Sequence, residues 1–255
     1  MSRFVSVGPI LVALALSASP LPSHAQPPPG TIFIRGSVGM ATQSLSDWRA
    51  IINDQKQILQ SSGIPLPWEN IGTAFTPSFE LDYMVNDVVS VGAALSHQKG
   101  TSNNSIADFS GSFSQKITAS AVGLRGNVSF WPRRGRGFFV GADAGIGFGK
   151  ASLEVHVQDL TTPGNDLDVD GRWDGTGFIG GPFAGLQRGM GSSGIVALKA
   201  WYQFARLGAF DGRETSPQLG TAAGPPRDGA GNVLETDLSG VGISLAIGAS
   251  FGGGR

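Results

Sequence analysis

The sequence predicts an all-β fold, an eight-stranded antiparallel transmembrane β-barrel with long extracellular loops and short periplasmic turns, and three observations predict it. Apolar residues alternate with small or polar ones, with period two, in segments of about 10 to 15 residues. The intervals between segments are alternately long and short, as in a barrel with loops on one side of a membrane and turns on the other. The polar faces are mostly Gly, Ser and Ala rather than Lys and Glu, which suits a narrow filled interior. An antiparallel sandwich also alternates along each strand, but it accounts for neither of the last two features.

Composition supports one such unit. Of 255 residues, 39 are glycine, about twice the usual roughly 7%, and only 15% are charged. There is no cysteine, which excludes a disulfide framework and a thiolate metal site. Lys and Arg number 18 against 19 Asp and Glu, a balance that calls for no nucleic-acid partner. Arg133, Arg134 and Arg136 cluster in an expected periplasmic turn, where lipid phosphates are the simpler partner.

The opening MSRFVSVGPILVALALSASPLPSHAQ has a basic start at Arg3, an apolar run from Phe4 to Leu16 and a small-x-small site at Ser23-His24-Ala25. Residues 1–25 therefore read as a signal peptide, 26–30 as a short lead and 31–255 as the barrel domain. The apolar run carries Pro9 and is shorter than the about 20 residues of a membrane anchor. No later stretch is long and apolar enough for a transmembrane helix, so any crossing is by strands.

The first strand, Thr31 to Ala41, sets Ile32, Ile34, Val38 and Met40 against Arg35, Ser37 and Gly39. The second, Ile71 to Val85, turns Phe75, Phe79, Leu81, Tyr83 and Val85 outward and Ser78, Glu80 and Asp82 inward. After a tight turn at Asn86-Asp87, the third, Val88 to His97, opposes Val89, Val91, Ala93 and Leu95 to Ser90, Gly92, Ala94 and Ser96. A polar loop runs to about Gly111. The fourth, Lys116 to Trp131, offers Val122, Leu124, Val128 and Phe130 to lipid and Arg125, Asn127 and Ser129 to the lumen; Pro132 to Gly137 is its turn. The fifth, Phe138 to Gly149, has Phe138, Val140, Ala142, Ala144, Ile146 and Phe148 outward and Asp143 among inward glycines.

A long acidic loop to Arg172 precedes the sixth strand, Thr176 to Gln187. There Phe178 and Leu186 share one face, Ile179 and Phe183 the other, and Pro182 removes a ladder donor. The seventh, Ile195 to Leu207, opposes Val196, Leu198, Ala200, Tyr202 and Phe204 to Ala197, Lys199 and Gln203. A Gly/Pro-rich loop spans Gly208 to Glu235. The eighth, Leu238 to Phe251, alternates throughout. Phe75, Phe148, Phe178 and Phe204 fall near one rim and Tyr83, Phe130, Phe138 and Phe251 near the other, which makes two aromatic girdles.

The leader, the eight amphipathic strands, the segments GFFVGADAGIGFG and ALKAWYQFARLG, and the ending VGISLAIGASF together resemble the small OmpA/OmpX-like outer-membrane barrels, including porin-family and opacity-type surface antigens of Gram-negative cells. The resemblance spans the mature chain and implies location in the cell outer membrane. It also implies that Phe251, an aromatic residue closing the last strand, is the C-terminal signal read by the barrel-assembly machinery, although Gly252 to Arg255 come after it here.

Among candidate sites, the inward Arg35, Glu80, Asp82, Arg125, Asp143 and Lys199 hold three cations and three anions at similar depth. A structural ion-pair network filling the lumen is set against a gated polar path for ions or small solutes. Asp166, Asp168, Asp170 and Gly171 spell D-x-D-x-D-G with Asp174 at the ninth place of a calcium-loop register. Gly177 stands where the bidentate Glu belongs, so an ordinary acidic loop is expected and no cofactor or metal is assigned. In SDWRAIINDQKQILQSSG, Asp47 is placed to cap a helix whose apolar stripe is Trp48, Ile51, Ile52 and Leu59, ending before Gly63. That stripe packs on the protein's own loops or meets a partner.

No catalytic residues can be named. Lipid A deacylases, which are barrels of similar size, carry His and Ser two apart on one strand, whereas two places beyond His97 stands Lys99 and two beyond His156 stands Gln158. The expected function is thus a non-enzymatic integral outer-membrane barrel, surface antigen/adhesin-like or structural. Its expected partners are outer-membrane lipid, the assembly machinery and host or cell-surface ligands met through the loops. A narrow porin-like channel is the second reading and a lipid-modifying enzyme the third.

Overall fold

A computed structural model describes residues 27–61, 73–108, 111–132, 137–159, 166–190, 192–227 and 231–252, with Thr161 and Gly164. The expected leader over 1–25 and the arginines at 133, 134 and 136 lie outside the described residues.

In chain order the elements are β1 (Ile32–Thr42), α1 (Ser46–Ser61), β2 (Thr73–Phe75), β3 (Ser78–Met84), β4 (Val89–Asp108), β5 (Gly111–Phe130), β6 (Phe138–Asp159), β7 (Leu167–Met190), β8 (Gly194–Ala209), β9 (Asp211–Ser216), β10 (Gly220–Ala223), β11 (Glu235–Asp237) and β12 (Gly240–Phe251). They close into an eight-stranded antiparallel barrel in the order β1, β3, β4, β5, β6, β7, β8, β12, with β12 returning to β1 through Ile32↔Phe251 to Ala41↔Gly242. The short β2 continues β3 in unchanged register against β1 and β4. The break between them falls at Thr76-Pro77, where proline has no N–H to give the ladder.

One end of the barrel is made of turns. Asn86 shapes the first, its Oδ1 accepting the N–H groups of Val88 and Val89, each at 2.9 Å. At the other end the strands run on. The polar loop expected from His97 to about Gly111 is instead a ribbon paired from Val89↔Phe130 out to Asp108↔Gly111. The acidic loop expected up to Arg172 is likewise strand: β6 and β7 stay paired to Val157↔Leu167. These segments carry no lipid-facing apolar row to announce them, yet their backbone groups still need partners.

The sixth predicted strand is real and its alternation is unbroken. Phe178 and Leu186 face outward while Ile179 and Phe183 are buried inside, and the β7–β8 pairing is interrupted at Gly181 and Pro182. Further out β8 gives way to β9 beside β7. Phe178 lies across Arg206 but Asp174 across Asp211, one residue out of step. A bulge at Gly208, whose φ is 66°, takes up the extra residue and leaves Phe210 wholly buried.

The outer wall between the two ends is an apolar belt. Ile34, Val38, Leu81, Leu95, Leu124, Val128, Ile146, Leu186, Ile243 and Ile247 are all exposed, as are all eight girdle aromatics. A water-facing sheet does not carry so continuous an apolar surface; a closed barrel fitted to a bilayer does.

Candidate functional site

Strand alternation dictates what enters the lumen, and the lumen is layered. Near the turn end Phe33, Met84, Trp131, Phe139, Phe183 and Ile195 form one apolar cluster. Trp131 stands between Phe33 and Phe139 with ring centroids 5.9 and 4.9 Å away, and its indole N–H donates to Ser90 Oγ at 3.0 Å. At the loop end Leu45, Trp48, Ile52, Ile117, Trp173, Ile179, Leu207, Phe210, Leu234 and Leu238 belong to a second apolar cluster.

Between these layers lie all six inward charges picked out from the sequence. Arg35 Nη2 meets Glu80 Oε2 at 3.1 Å and also pairs with Asp82, while its Nη1 donates to Gln187 Oε1 at 3.0 Å. Lys199 Nζ is 2.6 Å from Glu80 Oε1 and 4.2 Å from the Phe183 ring centroid, a cation–π contact. Arg125 Nη1 is 2.9 Å from Asp143 Oδ2, whose other oxygen accepts the Gly181 N–H at 3.1 Å. Gln203 donates across the lumen to Gln98 at 3.1 Å. Every one of the six has an opposite charge in contact, the condition for keeping charge out of water. The polar cavity among them, lined by Ser37, Glu80, Arg125, Lys199 and Gln203, measures about 20 Å³, room for about one water.

The loop-end layer is completed by α1. The helix starts at Ser46, so Asp47 lies in its first turn rather than at the cap, and its Oδ2 instead accepts the Glu235 N–H of β11 at 2.9 Å. Trp48 and Ile52 are buried. Trp48 donates to Thr236 Oγ1 at 3.3 Å and lies 6.0 Å, centroid to centroid, from Trp173 of β7. These two stripe residues pack on the protein's own strands; Gly63 and the side chains of Ile51 and Leu59 lie outside what is described. Leu45, fully buried at the entry to the helix, has a φ of 40°, an uncommon conformation for a branched residue.

Asp168, Asp170 and Asp174 stand on the exposed face of β7. Same-face neighbours on a strand are about 7 Å apart, so these carboxylates do not converge on one ion. Each of the first two has its own partner: His156 Nδ1 at 2.6 Å from Asp168, and Arg172 at 3.0 Å from Asp170. The hydrogen bond to Asp170, with its charge, holds the Arg172 guanidinium above its ordinary pKa. Asp166 accepts the Asp159 N–H at 3.1 Å. Among the described residues no group of three or more His, Asp or Glu is placed to hold a metal.

Ser114, His156 and Asp168 share one row across β5, β6 and β7. Only the His–Asp contact of that row is made, and both of its side chains are more than half exposed. Within that row no nucleophile is bonded to its base.

The two apolar layers were missed at the level of sequence. Their signal was present as large apolar residues at inward positions of narrow strands: Phe33, Phe139, Trp173, Ile179 and Phe183.

No protein-family model matches the chain, and no curated protein does. Solved structures similar to it include the outer membrane protein OprG from Pseudomonas aeruginosa, at 12% identity with a TM-score of 0.40, covering 89% of this chain and 98% of that one. Ail, the attachment invasion locus protein of Yersinia pestis, is similar at 11% identity with a TM-score of 0.39 over 88% and 99% of the two chains. The Neisserial surface protein A is similar at 14% identity with a TM-score of 0.39 over 87% and 97%.

Proposed function

We propose that the chain is a non-enzymatic integral outer-membrane protein, exported by a leader over residues 1–25, whose sealed barrel anchors it and whose loop-end ribbons and α1 form its working surface, as in a surface antigen or adhesin. The observation that carries this reading is the sealing of the lumen. An apolar layer stands on each side of the paired charges, so the charged layer serves as filling that fixes the barrel's shape. A narrow channel would need both layers to part.

The apolar belt takes lipid as its solvent, and Phe251, exposed at the end of β12, serves as the residue engaged by the assembly machinery. The ribbons beyond the belt meet cell-surface ligands, since function concentrates where a rigid scaffold projects variable segments.

Planar-bilayer recording tests the anchor. The purified barrel is expected to insert without steady conductance, whereas a large stable current abolished by Arg125→Gln or Asp143→Asn would establish the channel instead. Trimming β6 and β7 back to Gly149 and Gly175 should remove binding to cell surfaces while the barrel still inserts.

A further inference from the structure

On β4, β5 and β6 the outward face changes from apolar to basic within one row of the sheet. Leu95, Leu124 and Ile146 form one outward row, His97, Val122 and Phe148 the next, and Lys99, Ser120 and Lys150 the one after. Successive rows are about 7 Å apart and the two lysines are separated by two strand spacings, about 10 Å. Both lysines are exposed.

Among the described residues neither lysine makes an ion pair, whereas Lys116, further out, meets Glu154 at 3.3 Å. Asp174 lies across from Lys150 in register without pairing to it. The neighbouring β7 turns Asp168, Asp170 and Asp174 outward, and its Arg172 is taken up by Asp170. On β8, Arg206 lies between Phe178 and Asp237 in register, with no second cation beside it among the described residues. The two neighbouring cations that face the belt edge together are therefore those of β4 and β6.

We propose that this face binds the phosphate group of a membrane lipid, held by Lys99 and Lys150 with the Ser120 hydroxyl between them, while the lipid's acyl chains lie along Phe148, Val122, Leu124 and Leu95. The inference rests on the membrane-anchor reading above. Two features select a lipid over free phosphate. The lysines border hydrocarbon on one side, where a charge is poorly screened by water and salt, and their stems reach along apolar surface while the ammonium groups stay at the polar edge. Beneath them, Val122 and Phe148 beside His97, then Leu95, Leu124 and Ile146, offer apolar surface that only a ligand with chains can cover. An inorganic ion gains nothing from them.

The test uses the full barrel, first refolded in phosphatidylcholine vesicles and checked for the heat-sensitive gel migration of a folded barrel. Failure to fold into vesicles counts against the anchor reading, whereas the lipid site stands or falls on a titration of the folded protein. For that titration the protein, in non-ionic detergent, receives dioleoyl phosphatidic acid, dioleoyl glycerol or inorganic phosphate, and bound lipid is counted by native mass spectrometry.

Phosphatidic acid is expected to bind and dioleoyl glycerol not. Lys99→Gln with Lys150→Gln should weaken binding about thirtyfold at low salt, about fivefold per lysine, and Lys116→Gln should leave it near the wild-type value. Equal binding by the double variant, an equal loss in Lys116→Gln, or displacement of the lipid by inorganic phosphate would each overturn the proposal.

Discussion

Lys199 on β8 reaches Glu80 on β3, with Nζ 2.6 Å from Oε1, while Arg35 on β1 holds the other carboxylate oxygen at 3.1 Å. Two strands, β12 and β1, separate β8 from β3 around the ring. One carboxylate thus neutralises two cations from different parts of the wall. Glu80→Gln leaves Lys199 without its carboxylate in a buried layer, while Arg35 keeps Asp82, and is expected to destabilise the barrel by about 3–5 kcal/mol. Urea titration of barrels refolded in vesicles reads this as an earlier midpoint; an unchanged midpoint would mean that the network does not support the fold.

Trp48 of α1 packs into the loop-end apolar layer beside Trp173. Trp48→Ala removes a contact of a size that costs about 3–5 kcal/mol in a core, and the loss should appear as local opening of α1 rather than global unfolding. Hydrogen exchange is expected to rise over residues 43–61 and stay unchanged in β4 to β6. Conductance should remain absent, because the Trp131 layer still closes the other end. Gly171→Val should act alike, since a Cβ at Gly171 falls 2.0 Å from the Trp173 ring.

Calcium is expected to leave the thermal unfolding of the barrel unchanged, in wild type and in Asp168→Asn with Asp170→Asn alike. The carboxylates are strung along an extended strand, and calcium needs six to eight oxygens around one point. A rise in melting temperature with calcium, lost in the double variant, would reverse this reading of β7.

Phe251 is about half exposed on the belt at 52% and lines no lumen cluster, so Phe251→Ala should leave the barrel folded, with a loss no larger than the roughly 1.5–3 kcal/mol of one apolar side chain. If the residue serves assembly, the variant reaches the cell membrane in reduced amount yet refolds in detergent at the wild-type rate. Equal amounts in both settings would remove that role.

The strand faces were legible because lipid on one side and a narrow lumen on the other impose opposite demands on successive residues, as in Val89 to Leu95. Strand ends were not legible, because beyond the belt both faces can be polar, and Thr101 to Asp108 looks like loop while pairing like strand. The inward charges could be named from alternation alone. Their partners could not: Lys199 and Glu80 are 119 residues apart, and only closure of the ring brings them together. The helix was visible in the spacing of Trp48 and Ile52, but its seat over the mouth depends on Trp173 and Phe210, and Phe210 faces inward only because of the bulge at Gly208.

The paired charges also bear on closure of the ring. An open sheet that has β3 but not yet β8 holds Glu80 without Lys199, and one that has β1 but not β7 holds Arg35 without Gln187. Gln98 and Gln203 add a tie between β4 and β8, which stand opposite each other in the ring. A ring closed without β3 would leave Arg35 and Lys199 buried with no carboxylate, and one without β5 or β6 would leave Asp143 or Arg125 alone. The interior therefore favours a ring in which these charged strands are present together.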